Sequence, residues 1–546
     1  TEERLMNMDY HERYNGFQWD IPSLYNIAYF ICDRHPGGNP ALIHEDDDGS
    51  VTPYSFGDLR KLSNRLANAL SGLGLGRGDR IAILLSQRPE TLIAHLAGFK
   101  MGAVNVPLFT LFGPDALEYR LHDCGAKAVF VDGENLAKIL EIRPRLESLQ
   151  HIVRTGEGER PDGVISFTGL LENAADEFGM AATSSEDPAL IIYTSGTTGP
   201  PKGALHAHRV LAGHLPGVAM SHNSFPQPGD RFWTPADWAW IGGLIDVLFP
   251  SLYHGVPVLA CRLKKYDPEK ALSLMAKHRV KNVFLPPTAL KMTRPLSGIK
   301  EKFPLGLRTV ASGGEPLGTE ILEWGRTELG LDINEFYGQT EANLLISNFS
   351  ALMAVKPGSM GRPVFGHRLS VVDREGHPLP AGSSGEIAVK KGDPVMFLSY
   401  WKDKAATAEK FRGEWMLTGD AAHVDHDGYF WFSGRKDDVI TSAGYRIGPS
   451  EIEDCLLKHP AVAVPAVIGS PDEIRGQVVK AFIKLKEGYE PSSRLAGDIK
   501  EFVRVRLAAH EYPREVEFIA EIPVTVTGKI KRGDLRKLDT RKEKGW

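Results

Sequence analysis

Up to Tyr193 the chain switches between short apolar runs and longer stretches whose apolar positions recur three and four apart. The runs Ile81–Leu85, Val104–Pro107, Ala128–Val131 and His151–Arg154 predict buried strands, and Glu90–Met101, Pro114–Cys124 and Leu136–Ile142 predict helices between them. Ala41–His44 and Val51–Tyr54 flank Asp46-Asp47-Asp48-Gly49, which predicts a hairpin. Ser55 then caps a helix reaching about Leu73, with Leu59, Leu62, Leu66 and Leu70 on one face. Residues 19–35 carry Ile21, Leu24, Ile27, Ala28 and Ile31 at helical spacing, with Pro22 in the first turn. Such alternation predicts a layered α/β domain with a largely parallel sheet.

The rhythm continues past the strand Ala189–Tyr193. Helices are expected over Val210–Met220, Ile245–Leu252 and Pro268–His278, and strands over Val256–Ala260, Asn282–Leu285, Thr309–Ala311 and Ile333–Phe336. From Gly358 to Phe432 the period falls to two and glycine turns separate the runs, which predicts a β-rich subdomain. Beyond the charged turn Gly434–Asp438, helices over Pro449–Lys458 and Arg494–Arg506 and strands over Val462–Ile468 and Val478–Leu485 predict a small α+β unit. The expected fold class is α/β: a large N-terminal domain (1–435) of layered α/β subdomains plus a β-rich subdomain, followed by a small α+β C-terminal domain (436–546).

Composition narrows the function classes. The net charge of −5 argues against a general nucleic-acid binder. No apolar run reaches the roughly 18 residues that a spanning helix needs. Thr1-Glu2-Glu3-Arg4 shows no signal-peptide core, so a cytoplasmic location is expected. Cys32, Cys124, Cys261 and Cys455 are scattered without a C-x-x-C pair, which fits a reducing compartment and no cysteine-built metal site. The glycines from Gly72 to Gly78 follow a helix and precede a strand, the reverse of a dinucleotide fingerprint, and read as a helix C-cap connection.

The chemistry gathers at a few turns. Tyr193–Gly203, Y-T-S-G-T-T-G-P-P-K-G, combines hydroxyls, glycines and Lys202 after a buried strand, a composition suited to holding phosphate. It is not the G-x-x-x-x-G-K-[ST] loop, because the spacing differs and no Ser or Thr follows Lys202. With the helix from Val210 next in line, the loop is expected between a strand and a helix. Trp233, Trp238 and Trp240 lie within eight residues and beside Gly242 and Gly243, which predicts a ligand-lining wall. Ser312-Gly313-Gly314-Glu315-Pro316 and Tyr337-Gly338-Gln339-Thr340-Glu341 are polar turns at expected strand ends, where α/β sheets bind ligands. Thr418-Gly419-Asp420 places an acid in a tight turn, and Thr527-Gly528-Lys529 lies in a basic tail. His206 and His208 are expected to pack or hydrogen-bond rather than catalyse.

These segments, with Ala236–Gly243, Gly434–Asp438 and Gly444-Tyr445-Arg446, resemble in order and spacing the adenylate-forming enzymes: acyl-CoA synthetases, luciferases and non-ribosomal adenylation domains. Within that family the chain is similar to medium-chain acyl-CoA synthetases. The resemblance implies that a carboxylate attacks the α-phosphorus of ATP to give acyl-AMP, after which CoA displaces AMP. It implies ATP, Mg²⁺ and coenzyme A as the small molecules used. Thr194, Ser195, Gly196, Thr197, Thr198 and Lys202 would hold the β- and γ-phosphates. Glu341 would hold Mg²⁺ and Thr340 would contact the α-phosphate. Gly314, Glu315, Pro316, Tyr337 and Gln339 would frame the nucleotide, and Asp420 would accept from the ribose hydroxyls. Arg435 and Arg446 would contact ribose or phosphate, and Lys529 would stabilise charge during adenylation.

The same resemblance makes the C-terminal domain mobile, with a hinge at Asp437 and Gly444 on the CoA tunnel. Trp238, Trp240, Ile241, Gly242, Gly313 and Gly338 would line the acyl pocket, Gly338 standing where acetyl-CoA synthetase closes its pocket with a tryptophan. Loss of that ring implies a medium-chain, branched or cyclic/aromatic acid rather than acetate. The alternatives are a short-chain ligase, an enzyme loading a carrier protein, and a non-catalytic nucleotide-binding module. The expected partners are a small carboxylic acid, ATP and CoA, with no nucleic acid and no transmembrane segment; self-association into a homo-oligomer is left open.

Overall fold

The structure is a computed structural model that describes residues 8–194, 201–435, 438, 440–442, 445–472, 476–506, 512–525 and 528–543. From the hairpin at Ala41 to the strand His151–Arg154 the predicted elements form in the predicted order. The helix Phe56–Gly72 starts in a reciprocal cap: Ser55 Oγ accepts from the Asp58 N–H at 3.1 Å, and the Asp58 carboxylate accepts from the Ser55 N–H at 2.9 Å. Its Leu59, Leu66 and Leu70 are fully buried. The helices Pro89–Met101 and Pro114–Cys124 open on proline and close on Gly102 and Gly125 at φ 70° and 64°, which turn the chain into the next strand.

Among the described residues these strands form an eight-stranded sheet. Its spatial order is 399–400, 203–207, 188–193, 104–107, 80–84, 128–131, 151–154 and 164–166. Pairing is parallel from 188–193 to 164–166, and antiparallel where 203–207 meets 188–193 and 399–400 meets 203–207. A fourteen-stranded sheet lies beside it, counted over the described residues. Its middle is parallel (333–339, 309–313, 282–284, 232–233, 258–260 and 40–45), and its far end is the antiparallel region 342–435 expected from the period-two pattern. Among the described residues a separate five-stranded sheet, with the helices Pro449–Leu457, Ser493–Arg504 and Arg532–Glu543, forms the smaller C-terminal unit. Its core is Ile440, Ile452, Leu456, Val467, Val479, Ala481, Ile499 and Val503. The chain leaves the large sheet with Phe430–Arg435 and enters the small one with Ile440–Ser442.

Five expectations need correction. The helix expected over 19–35 begins at about Ile27, because the Asn26 side chain caps it by accepting from the Ala28 N–H at 3.0 Å; Leu24 is exposed. The loop after Tyr193 does not lead into a helix. It joins Pro188–Tyr193 to the antiparallel strand Gly203–Ala207, and the helix Val210–Ser221 follows that strand. Thr418-Gly419-Asp420 is not a turn but lies inside the strand Trp415–Val424, where Gly419 takes φ 81°. The strand from Ile333 runs on to Gln339 and turns only at Thr340-Glu341 into Ala342–Ser347. The helix after Gly243 is continuous to Tyr253 but passes through a π-helical turn at Leu244–Leu248.

All four cysteines are buried and none forms a disulfide. Burial pushes the Cys32 and Cys124 thiols up to about 12 and that of Cys261 up to about 11. Among the described residues no helix is long and apolar enough to cross a membrane.

Candidate active site

The site forms where the two large sheets meet. The hairpin Ile333–Gln339/Ala342–Ser347 is irregular between Tyr337 and Gln339, at Gly338. A Cβ on Gly338 would stand 2.3 Å from the Leu344 N and 2.5 Å from Asn343 Oδ1, so only glycine fits. Leu344 takes φ 55° and is fully buried, a strained position held by packing. Asn343 is held from below by Asp246, whose carboxylate accepts from Asn343 Nδ2 at 2.8 and 2.9 Å; burial raises the Asp246 pKa well above the ordinary value.

This hairpin presents Tyr337 and Gln339 to Asp420. The Tyr337 hydroxyl donates to Asp420 Oδ2 at 2.6 Å, and the Gln339 amide donates to the same oxygen. Asp420 is 5% exposed and stands opposite Arg435 in the register of two antiparallel strands. A buried carboxylate already gathering donors is suited to accepting from vicinal hydroxyls. At the turn itself, the Tyr400 hydroxyl donates to Glu341 Oε1, and the Phe397 N–H donates to the Glu341 carbonyl at 2.8 Å. Lys202 Nζ lies 5.2 Å from the centre of the Tyr400 ring. Thr194 and Lys202 are joined by the Thr194 N–H, which donates to the Lys202 carbonyl at 2.9 Å. Glu341 supplies hard oxygen donors next to the loop, a donor set that fits Mg²⁺.

The other strand ends bring aromatic rings. Trp240 stacks obliquely on Phe284 with centroids 5.6 Å apart, and Phe284 on Phe336 at 5.3 Å. The glycines expected to leave volume are close-packed against these groups. A Cβ on Gly313 would meet the Phe336 ring at 2.6 Å, and one on Gly242 would meet Phe284 at 3.1 Å and Trp240 at 3.2 Å. Gly314, at φ 104°, faces the Trp240 ring at 3.3 Å, measured from the position its Cβ would take. Gly338 is likewise close-packed, with Leu344 and Asn343 against the place its Cβ would take. Trp238 is 1% exposed and Ile241 3%, and both sit in the main N-terminal core; Trp240 is the tryptophan at the wall. His206 and His208 are fully buried, and His208 Nδ1 accepts from the Ile27 N–H at 3.2 Å, in line with a packing role.

Glu315 pairs with Lys291 at 3.5 Å, and Pro316 follows in the same turn. Lys291 belongs to the helix Pro287–Thr293, and this helix also meets the C-terminal unit: a Cβ on Gly528 would lie 3.0 Å from Thr288 Cγ2. Gly528 takes φ 88°, and the Lys529 N–H donates to Thr525 Oγ1 at 3.1 Å, so Lys529 directly follows a glycine packed against the helix Pro287–Thr293. Ser195, Gly196, Thr197, Thr198, Asp437 and Gly444 lie outside the described residues, as do the side chains of Arg435 and Arg446.

Sequence patterns did not mark Phe284, Phe336, Asn343, Asp246 or Tyr400. Phe284 ends its strand, so the strand-end rule applied to every strand would have found it, whereas Phe336 stands in the middle of Ile333–Gln339. Nothing local marks Tyr400, whose partners are remote in sequence.

With this geometry in view, the family models of the AMP-binding enzyme and of the AMP-binding enzyme C-terminal domain match residues 31–401 and 451–529. The chain belongs to the adenylate-forming, AMP-binding enzyme family. This adenylate-forming enzyme is 35% identical to an acetyl-coenzyme A synthetase of Bacillus subtilis (strain 168), over 97% of this chain and 94% of the relative. It is 36% identical to the mitochondrial acyl-coenzyme A synthetase ACSM4 of Mus musculus, over 97% and 93%. It is also similar to the anthranilate CoA ligase AuaEII solved with anthranoyl-AMP, with TM-score 0.87 and 32% identity over 96% of this chain and 99% of that one. The large N-terminal and smaller C-terminal domains are those of adenylate-forming CoA ligases, which use ATP, Mg²⁺ and CoA.

Proposed function

We propose that this adenylate-forming enzyme activates a medium-chain, branched or cyclic/aromatic carboxylic acid as acyl-AMP and transfers the acyl group to CoA. The observation that carries this reading is Trp240, a partly buried ring at the Gly313-Gly314 turn that is backed by the buried rings of Phe284 and Phe336. Flat rings at a strand end favour a large apolar acyl group over a methyl. The similarity to an anthranilate CoA ligase points the same way, whereas the similarity to an acetyl-coenzyme A synthetase names the rival.

In this reading Asp420 receives the ribose hydroxyls, with Tyr337, Gln339 and the Gly314–Pro316 turn framing the nucleotide. Thr194, Lys202 and the loop from Ser195 to Thr198 hold the β- and γ-phosphates, and Thr340 meets the α-phosphate. Bound at Glu341, Mg²⁺ would supply charge neutralisation for the phosphates. Lys529 meets the two anions that must approach each other, and Arg435 and Arg446 assist on the ribose or phosphate side. The boundary between the domains falls near residue 436, with Asp437 as hinge and Gly444 on the path of CoA.

A kcat/KM series from acetate to octanoate, with benzoate, tests the choice of acid. Each added CH₂ buried is worth about 0.8 kcal/mol, roughly fourfold in kcat/KM, until the pocket is filled. An optimum at acetate would overturn the reading.

A further inference from the structure

Tyr400 joins the two anion-handling parts of the site. It lies in the segment 397–401, which is bonded on one side to the hairpin turn and on the other to the strand leaving the phosphate loop. The Phe397 N–H donates to the Glu341 carbonyl at 2.8 Å, the Leu398 N–H to the Leu205 carbonyl at 2.7 Å, and the Trp401 N–H to the Gly203 carbonyl at 2.7 Å. Tyr400 itself pairs with Ala204 across the sheet, and its N–H donates to Thr407 Oγ1 at 2.9 Å. Phe397 packs edge-on against its ring at 4.9 Å. The side chain is 7% exposed, so the ring is fixed from several sides and its hydroxyl has one direction to take.

That direction ends on Glu341 Oε1. An ionised carboxylate has room for about four acceptor contacts, so one phenol on Oε1 leaves the second oxygen available to a cation while fixing the rotation of the group. The face of the same ring lies under the Lys202 ammonium at 5.2 Å, in the range where the ring's negative face attracts a cation. A single side chain thus orients both the acid and the base that flank the phosphate position.

We propose that Tyr400 is a positioning residue for metal-bound ATP: its hydroxyl sets the Glu341 carboxylate for the divalent cation, and its ring sets Lys202 for the phosphates. This rests on the functional reading above. Tyr400→Phe keeps the ring and removes only the hydroxyl. It is expected to weaken Mn²⁺·ATP binding, read from the electron paramagnetic resonance signal of free Mn²⁺, by about tenfold or more, the usual effect of losing a group that orients a metal ligand. AMP binding without metal should be unchanged. Tyr400→Leu also removes the ring and should weaken metal-free ATP binding beyond the phenylalanine variant. Wild-type Mn²⁺·ATP affinity in Tyr400→Phe, or an equal loss of AMP binding, would overturn the role of the hydroxyl. Equal metal-free ATP binding by the Phe and Leu variants would overturn the role of the ring. Failure of the unmodified chain to bind Mn²⁺·ATP would overturn the functional reading together with this one, so the two failures are told apart.

Discussion

Replacing Lys529 with alanine is expected to cut acyl-AMP formation by about 10²–10³-fold, the scale of losing one group aimed at developing charge. Reaction of supplied acyl-AMP with CoA should stay within a few-fold of normal. The turn that carries Lys529 is held by its backbone: the Thr525 N–H donates to the Lys529 carbonyl at 2.7 Å, and the Gly528 N–H to the Thr525 carbonyl at 2.9 Å. Truncating the side chain therefore removes the ammonium and leaves these backbone bonds, and the packing of Gly528 against Thr288, in place. Carboxylate-dependent ATP–pyrophosphate exchange measures the first step, and thioester formation from synthetic acyl-AMP the second. Equal loss in both would remove Lys529 from its assigned step.

The second large effect is structural and belongs to Arg532, three residues further on. Its guanidinium donates to both oxygens of Glu453 at 2.7 and 2.6 Å and to the Val467 carbonyl at 3.1 Å. Asp438 lies 3.6 Å away and is held in turn by Arg536 at 2.5 Å. Glu453 also accepts from the Val467 N–H at 2.7 Å, so the pair joins the helix Pro449–Leu457 to the strand Val462–Asp472 and to the start of the last helix. Both partners are mostly buried, with side-chain exposures of 16% and 12%. Arg532→Ala strands a buried carboxylate and should destabilise the C-terminal unit by about 3–5 kcal/mol. Hydrogen exchange in Pro449–Leu457 and Val462–Asp472 of the full chain reads this directly. The double variant Arg532→Met/Glu453→Met should regain most of the loss, because apolar groups of similar volume replace a desolvated pair. Unchanged exchange in the single variant would show the pair to be energetically idle.

Much of the architecture was legible because it is written in periodicity. The alternation up to His151–Arg154 and the period-two region after Gly358 both lead to the elements they predict. The misreadings have physical causes. Gly203-Ala204-Leu205-His206-Ala207 is a strand without a β-branched residue, so it gave no strand signal and the helix beyond it seemed adjacent to the loop after Tyr193. Gly419 between two polar residues has the composition of a turn, yet here it gives an otherwise continuous strand its positive φ. The glycines at 242, 313 and 338 illustrate a wider limit. A missing side chain is visible in the sequence, but the neighbour that fills its place is not: Phe284, Phe336 and Leu344 arrive from other strands. Tyr400 meets Glu341 from 59 residues away, a contact created only by the meeting of two sheets.

The burial of the four cysteines bears on how this enzyme can be handled. CoA carries the reacting thiol, and thiols are consumed as thioester forms. Protein sulfurs that are shielded from solvent and kept protonated exchange slowly with disulfide reagents, since only a thiolate attacks. With native protein, a chromogenic disulfide should therefore react with CoA far faster than with Cys32, Cys124 or Cys261. Oxidised coenzyme in a preparation likewise meets slow sulfurs at these three positions when a mixed disulfide would form.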